Sequence, residues 1–288
     1  MALSSKLLFG WRNVLAHMTL SSSIAAETLH PLANIVNQTK RRPARWDMTG
    51  ETTLTITGTT SELEAITAIM IKGHNLASDA TVRFRVYAEE SQGGAVLYDS
   101  DDVDGADVIY TIRPWGEMIA GVDPWGSYYD PDSRLDKVYC QALETVQGKS
   151  IRIDLTVPSP VAGFVELDKV AVFFGWTPKH NFDWGSSFAT RNFTEQTETV
   201  SGGVWAAARP TIRTMDLDFG LMEDQERNRF MGILDQSGMS NDVYVIPDPN
   251  AVGYAKFLGA SIYRRQNDAG YELVMFDGSA MSASLREN

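Results

Sequence analysis

Between Arg45 and Tyr87 apolar and polar side chains change places on a two-residue beat, and the beat is broken by one polar tip, Gly-His-Asn-Leu-Ala-Ser-Asp-Ala-Thr. Leu54 and Ile56 alternate with threonines, the pattern of a strand with one dry and one wet face. Ala65 to Ile71 is almost continuously apolar, which predicts a strand covered on both faces. Val82, Phe84 and Val86 alternate with Arg83, Arg85 and Tyr87, so Thr81 to Tyr87 reads as another half-buried strand. The connector from Lys72 to Ala80 carries Gly73, Asn75, Ser78 and Asp79, residues that accept left-handed geometry or bond to their own backbone in turns. His74 and Asn75 are therefore expected at the end of a sandwich, where loops carry function.

Further along, Gly94 to Asp99 predicts a short strand, Asp99 to Asp107 an acidic turn, and Val108 to Ile112 a strand. Pro114 to Asp136 is too long for a mere connector and repeats Pro-Trp-Gly at Pro114 and Pro124. Its Trp115, Trp125, Tyr128 and Tyr129 suit local packing, a subunit interface or sugar stacking. Ser150 to Val157 alternates strictly and Phe164 to Trp176 is a buried run, after which Pro178 stops strand pairing.

Beyond that point Arg209 to Phe219 alternates imperfectly. The spacing of Phe230, Ile233 and Leu234 then predicts a helix over about 221–237, supported by a Glu223–Arg227 pair and ended by Gly238. Asn241 to Pro247 predicts a strand, and Lys256 to Arg264 with Tyr271 to Phe276 a hairpin around Gln266 to Gly270. The expected fold is mainly β: a β-sandwich followed by a smaller β domain carrying one α-helix. Residues 1–29 are read as an N-terminal arm or first strand, 30–178 as the sandwich and 179–288 as the second domain.

With 288 residues and 43% apolar content the chain has ample material for a core. Its apolar runs fall short of the ~20 residues needed to span a bilayer, so no membrane insertion is expected. Gly10, Trp11, Arg12 and Asn13 interrupt what could be a signal-peptide core. The formal charge of −12 opposes a grip on nucleic acid, where Lys and Arg neutralise phosphates. The exception is local: Lys40, Arg41, Arg42 and Arg45 beside Trp46 suit a solvated turn, a subunit contact, or contact with a polyanion or glycan. Cys140 is the only cysteine, which fits synthesis in a reducing cytosol.

Motifs for catalysis are lacking. His17, His30, His74 and His180 are scattered, and no Gly-x-Ser-x-Gly, phosphate-loop or His-Glu-x-x-His pattern occurs. The acidic turn has Ser100, Asp102 and Asp104 before Gly105, but Thr111 stands where a calcium loop needs a bidentate Glu. No metal, no cofactor and no enzymatic role are expected.

A strand ending in Gly73-His74-Asn75-Leu76, followed by an alternating strand and entered through Arg41, Arg42, Arg45 and Trp46, resembles the discoidin or galactose-binding-like jelly rolls of bacteriophage tail and virion proteins, over roughly residues 30 to 176. The resemblance implies an eight-stranded sandwich serving assembly or glycan contact, with no catalytic residue. From roughly 186 to 282, the order strand, helix, strand, Asp-Pro turn and hairpin resembles a small β domain of tail-tip and distal-tail proteins. Together these imply a structural tail component assembled in the bacterial cytoplasm, with a homo-oligomer and other tail proteins as partners. The alternative is a carbohydrate-binding module for a host cell-surface glycan, with Trp115, Trp125, His74 and Arg45 as contacts.

Overall fold

A computed structural model describes residues 5–38, 42–76, 80–100, 107–108, 138–158, 160, 163–183, 185–192, 194–198, 203–207, 211–250, 259–267, 270–275 and 278–288. Its first strands are β1 (Leu8–Asn13), β2 (Thr19–Ser22), β3 (Ala44–Asp47), β4 (Thr53–His74), β5 (Thr81–Tyr87), β6 (Val96–Asp99), β7 (Asp107–Val108), β8 (Val138–Thr156) and β9 (Phe164–Trp176). The chain continues through β10 (Ser187–Asn192), β11 (Glu195–Glu198), β12 (Val204–Ala207) and β13 (Thr211–Met222) to helix α1 (Asp224–Ser237). It finishes with β14 (Val243–Ile246), β15 (Ser261–Arg265), β16 (Tyr271–Met275) and β17 (Gly278–Glu287). The fold is mainly β with a single α-helix among the described residues, as the alternation implies.

One antiparallel sheet runs from β10 through β13, β17, β15, β14, β1, β9, β4, β8 and β5 to β6, while β11 and β12 form a separate hairpin. The two runs expected as separate strands, around Leu54–Ile56 and Ala65–Ile71, are one strand, β4. Its first half pairs with β2 and with Arg152 to Thr156 of β8, its second half with the start of β8 and with β9. Pairing with β8 shifts between Thr59 and Glu64 and again between Ile66 and Ala68. Such irregularities bend a strand without ending it, so β4 serves both layers of the sandwich. At the second shift the Thr67 hydroxyl accepts from Gly175 N–H (2.7 Å) and donates to the Phe173 carbonyl (3.2 Å), satisfying backbone groups that the ladder leaves over. Leu54, Ile56, Ile69, Ile71, Phe84, Ile153, Val170 and Trp46 fill the core between the layers.

Strand β1 is paired on both edges, with β9 on one side and β14 on the other. Gly10 faces Gly175 there, and a Cβ on Gly10 would come within 2.2 Å of the Phe173 ring. Only glycine lets the backbones close over that ring, which stacks on Tyr244 at 5.0 Å. The pairing of β1 with β9 is irregular up to Asn13, and the Asn13 side chain bridges it by donating to Val170 O and accepting from Val172 N–H.

In the second unit, α1 inserts Phe230 among Phe9, Trp176 and Phe219, whose ring centroids lie 5.6, 5.0 and 5.3 Å away. Leu221 and Met222 complete β13, so the helix starts at Asp224, where Asp224 and Glu226 oppose the helix dipole. Arg227 pairs with Asp224 at 2.7 Å, whereas Glu223, its expected partner, pairs with Lys179. The hairpin expected from Lys256–Arg264 and Tyr271–Phe276 does not form. Strands β15 and β16 both pair with β17 at successive positions of its length, because β17 is long enough to carry both.

A buried ionic network closes the joint between sandwich and second unit. Lys72, from β4, lies 3.0 Å from Glu287, which also accepts from Arg213 at 2.8 Å and from the Ser261 hydroxyl at 2.8 Å. Lys169, from β9, meets Asp242 at 2.5 Å, and Asp242 also takes Arg264 at 3.0 Å. Both lysine side chains are nearly inaccessible, at 5% and 6% exposure, so each charge depends on its carboxylate.

Burial by itself would raise the Glu287 carboxyl, but hydrogen bonds from Arg213 and the charge of Lys72 outweigh it and hold Glu287 well below the usual carboxylate range. A carboxyl whose folded value is depressed contributes stability that is fully present above its ordinary value of 4.5 and is lost as pH falls below it. Glu287→Gln is expected to cost roughly 3 kcal/mol at pH 7, by leaving buried cations without a counter-charge. Urea unfolding between pH 7 and pH 3 should show a shallower loss of stability in the variant than in the parent protein.

Candidate functional site

The residues singled out by sequence are divided by the fold. Arg42 is exposed, while Trp46 is fully buried and donates its indole N–H to Ser22 Oγ at 3.3 Å. His74 is the last residue of β4, 3% exposed and registered against Leu167, so it is not presented to a ligand from a loop. Asn75 stitches the end of β4 to β9: its amide donates to Phe164 O (2.9 Å) and its carbonyl accepts from Glu166 N–H (2.7 Å). Arg45 grips Glu166 with Nε and Nη2, at 3.0 and 2.6 Å, and lies 4.2 Å from the centroid of the Phe164 ring. Arg45 and Asn75 thus converge on β9, where their polar groups hold strands together. Arg41, Trp115, Trp125, Tyr128 and Tyr129 lie outside the described residues.

The sandwich carries a charged ladder whose carboxylates are engaged internally. Asp154 accepts from Thr55 (2.6 Å), Arg152 (2.9 Å) and Arg85, and Arg83 pairs with Asp99 at 2.7 Å. Burial raises the Asp154 carboxyl, and these donors more than reverse that, holding it below its usual range. With its acceptors already engaged, this carboxylate has little left to offer a ligand.

A different arrangement occupies the second unit. An open groove of about 590 Å³ is lined by Asp183, Asp218, Gly220, Tyr271, Glu272 and Ser282, among others. Its floor follows from strand register: Asp218 stands opposite Ser282, and Glu272 opposite Ala280, so both carboxylates share the outer face of β13, β17 and β16. Asp183 is tied to the rim, its N–H donating to Asp218 O at 2.7 Å and its Oδ2 accepting from Gly220 N–H at 2.5 Å. A Cβ at Gly220 would come within 2.1 Å of that oxygen, so the contact requires glycine.

Tyr271, opposite Met281, points from the other face of β16, toward α1, and stays 47% exposed. The Arg227 guanidinium lies 4.6 Å from its ring centroid and is itself held by Asp224 and by Ser279 Oγ at 2.9 Å. The ring is therefore positioned from the helix side. The carboxylates of Asp218 and Glu272 accept no hydrogen bond from the described residues, which leaves acceptors facing the open groove. Such a set suits a ligand rich in hydroxyl or amino hydrogens. Among the described residues no group of three or more His, Cys, Asp and Glu is placed to hold a metal ion. No helix among them is long and apolar enough to cross a membrane.

The sequence carried part of this signal. Asp216 and Asp218 alternate with Leu217 and Phe219, which marks an acidic wet face on β13. Nothing local revealed that Glu272, more than fifty positions on, would share that face.

No protein-family model matches the chain, and no curated protein matches it. Among solved structures it is similar to the galactose-bound family 32 carbohydrate-binding module of NanJ from C. perfringens, with 11% identity, 58% of this chain and 99% of the other covered, and a TM-score of 0.37. It is also similar to chitosan-binding module 1 of a chitosanase/glucanase from Paenibacillus sp. IK-5, with 11% identity, coverage of 57% and 99%, and a TM-score of 0.37. A fucose-binding module from Streptococcus pneumoniae follows, with 9% identity, coverage of 56% and 94%, and a TM-score of 0.35. Likeness at this level concerns the course of the backbone alone. The expectation of a phage-tail structural component is corrected by these neighbours, which are carbohydrate-binding modules rather than virion parts. That expectation rested in part on a short Gly-His-Asn-Leu stretch, whose Asn75 this fold spends on joining β4 to β9.

If Arg45 serves packing, Arg45→Ala should lower stability by about 1 kcal/mol, the scale of a half-exposed charge-assisted pair. Thermal unfolding and glycan titration of the same variant check this, with weakened unfolding resistance and unaltered binding as the expected result.

Proposed function

We propose that the chain is a non-catalytic carbohydrate-binding module whose groove between β13, β17 and β16 receives a neutral or amino sugar. The observation that carries this reading is the pair of exposed carboxylates, Asp218 and Glu272, which share the outer face of β13, β17 and β16 and line the groove there. A pyranose has an apolar C–H face and a rim of hydroxyl donors. The two carboxylates take the second. A volume of about 590 Å³ lies within the usual range for small-molecule sites. Carboxylates at the rim, on a protein with formal charge −12, repel sialylated or sulfated sugars. The ligands named for the structural neighbours, galactose, chitosan and fucose, set the first compounds to try.

Isothermal titration with galactose-, fucose- and glucosamine-ended oligosaccharides tests the proposal. Binding of at least one is expected, and Glu272→Gln should weaken it about tenfold, since a hydrogen bond to a charged group is worth about 1.5 kcal/mol. Asp218→Asn, which keeps the size but exchanges an acceptor for an amide, should weaken it severalfold. Absence of binding to every sugar, or full affinity in both variants, would overturn the proposal.

A further inference from the structure

The sheet ends at β10, and among the described residues no strand pairs with its outer edge. All six residues, Ser187 to Asn192, are exposed, and their pairing with β13 runs without a bulge. The edge holds no proline and one charge, Arg191, so it lacks most devices by which proteins block strand addition.

We propose that β10 is the seam of a homodimer, in which two copies pair antiparallel around a two-fold axis at Ala189. The symmetry limits the register. An axis that pairs two identical edges antiparallel stands normal to the sheet, so each face continues as the same face, and opposed residues must have the same parity. The axis therefore passes through a residue position. Centring on Arg191 would oppose two guanidiniums, and centring on Phe188 would set two large rings against each other. Centring on Ala189 puts the smallest side chain on the axis and Phe188 opposite Thr190 of the partner subunit, an aromatic with a β-branched residue.

The same register makes the charges complementary. Ser187 lies opposite Asp216 of β13 and donates to its carboxylate at 3.2 Å. In the dimer Ser187 also faces Arg191 of the partner subunit, on the face that carries Asp216. Two strand spacings, about 10 Å, separate the Asp216 backbone from that arginine's backbone, and the small serine between them leaves the guanidinium a path to the carboxylate. Symmetry makes this contact twice. It also places a cation at the one edge where two copies of charge −12 must approach.

Sedimentation velocity of the full chain at increasing concentration tests the seam. The 31.8 kDa monomer is expected to give way to a species of twice that mass, more readily as salt screens the net repulsion. Ala189→Glu, which sets two carboxylates face to face on the axis, should leave monomer only, with circular dichroism unchanged. Asp216→Arg should weaken dimerisation at least tenfold, and adding Arg191→Asp to it should restore the dimer by reversing the pair. A monomer at every concentration, a dimer indifferent to Ala189→Glu, or failure of the charge exchange to restore association would overturn the proposal.

Discussion

Lys72 and Lys169 point out of two neighbouring sandwich strands and end, buried, on Glu287 and Asp242 of the second unit. Neither lysine can return to water without opening the joint, and neither carboxylate can lose its cation without leaving a charge in a dry place. This constraint fixes the two halves of the chain. Strand β1, paired to β9 and β14 alike, then makes the backbone continuous across the joint, and Phe230 closes the core on the helix side. Rigidity matters to the groove, because β13, β17 and β16 set the spacing of its carboxylates.

Much of the architecture was legible from alternation. Thr81–Tyr87, Phe164–Trp176 and the helix around Phe230 follow directly from where apolar residues fall. The merging of two expected strands into β4 was hidden because Thr59 to Glu64 interrupts the alternation, whereas it is an irregular stretch of the strand with Ser61 to Leu63 exposed. The pairing of β15 and β16 was hidden for a different reason: adjacency in sequence favours a hairpin, and only the length of β17 shows that both can share its edge. Long-range pairing is a property of the assembled sheet, so a local pattern does not contain it.

The candidate site shows the same division. Arg45, Trp46, His74 and Asn75 attracted notice as polar and aromatic residues near a turn. In the fold their chemistry goes into β9, the core and a strand end. The groove draws instead on an ordinary alternating strand, Asp218 to Gly220, and on Glu272. What distinguishes Asp218 and Glu272 is that their carboxylates accept no hydrogen bond from the described residues. A charge ladder such as Arg85–Asp154–Arg152 is richer in charge, but its carboxylate is engaged within the sheet.

The most direct measurement is the map of backbone amide shifts during titration with a sugar that binds. Perturbations are predicted to gather at Asp218 to Leu221, Tyr271 to Leu273 and Ala280 to Ser282. Perturbations confined to the opposite unit, around Arg45, Asn75 and Glu166, would contradict the groove as the binding site.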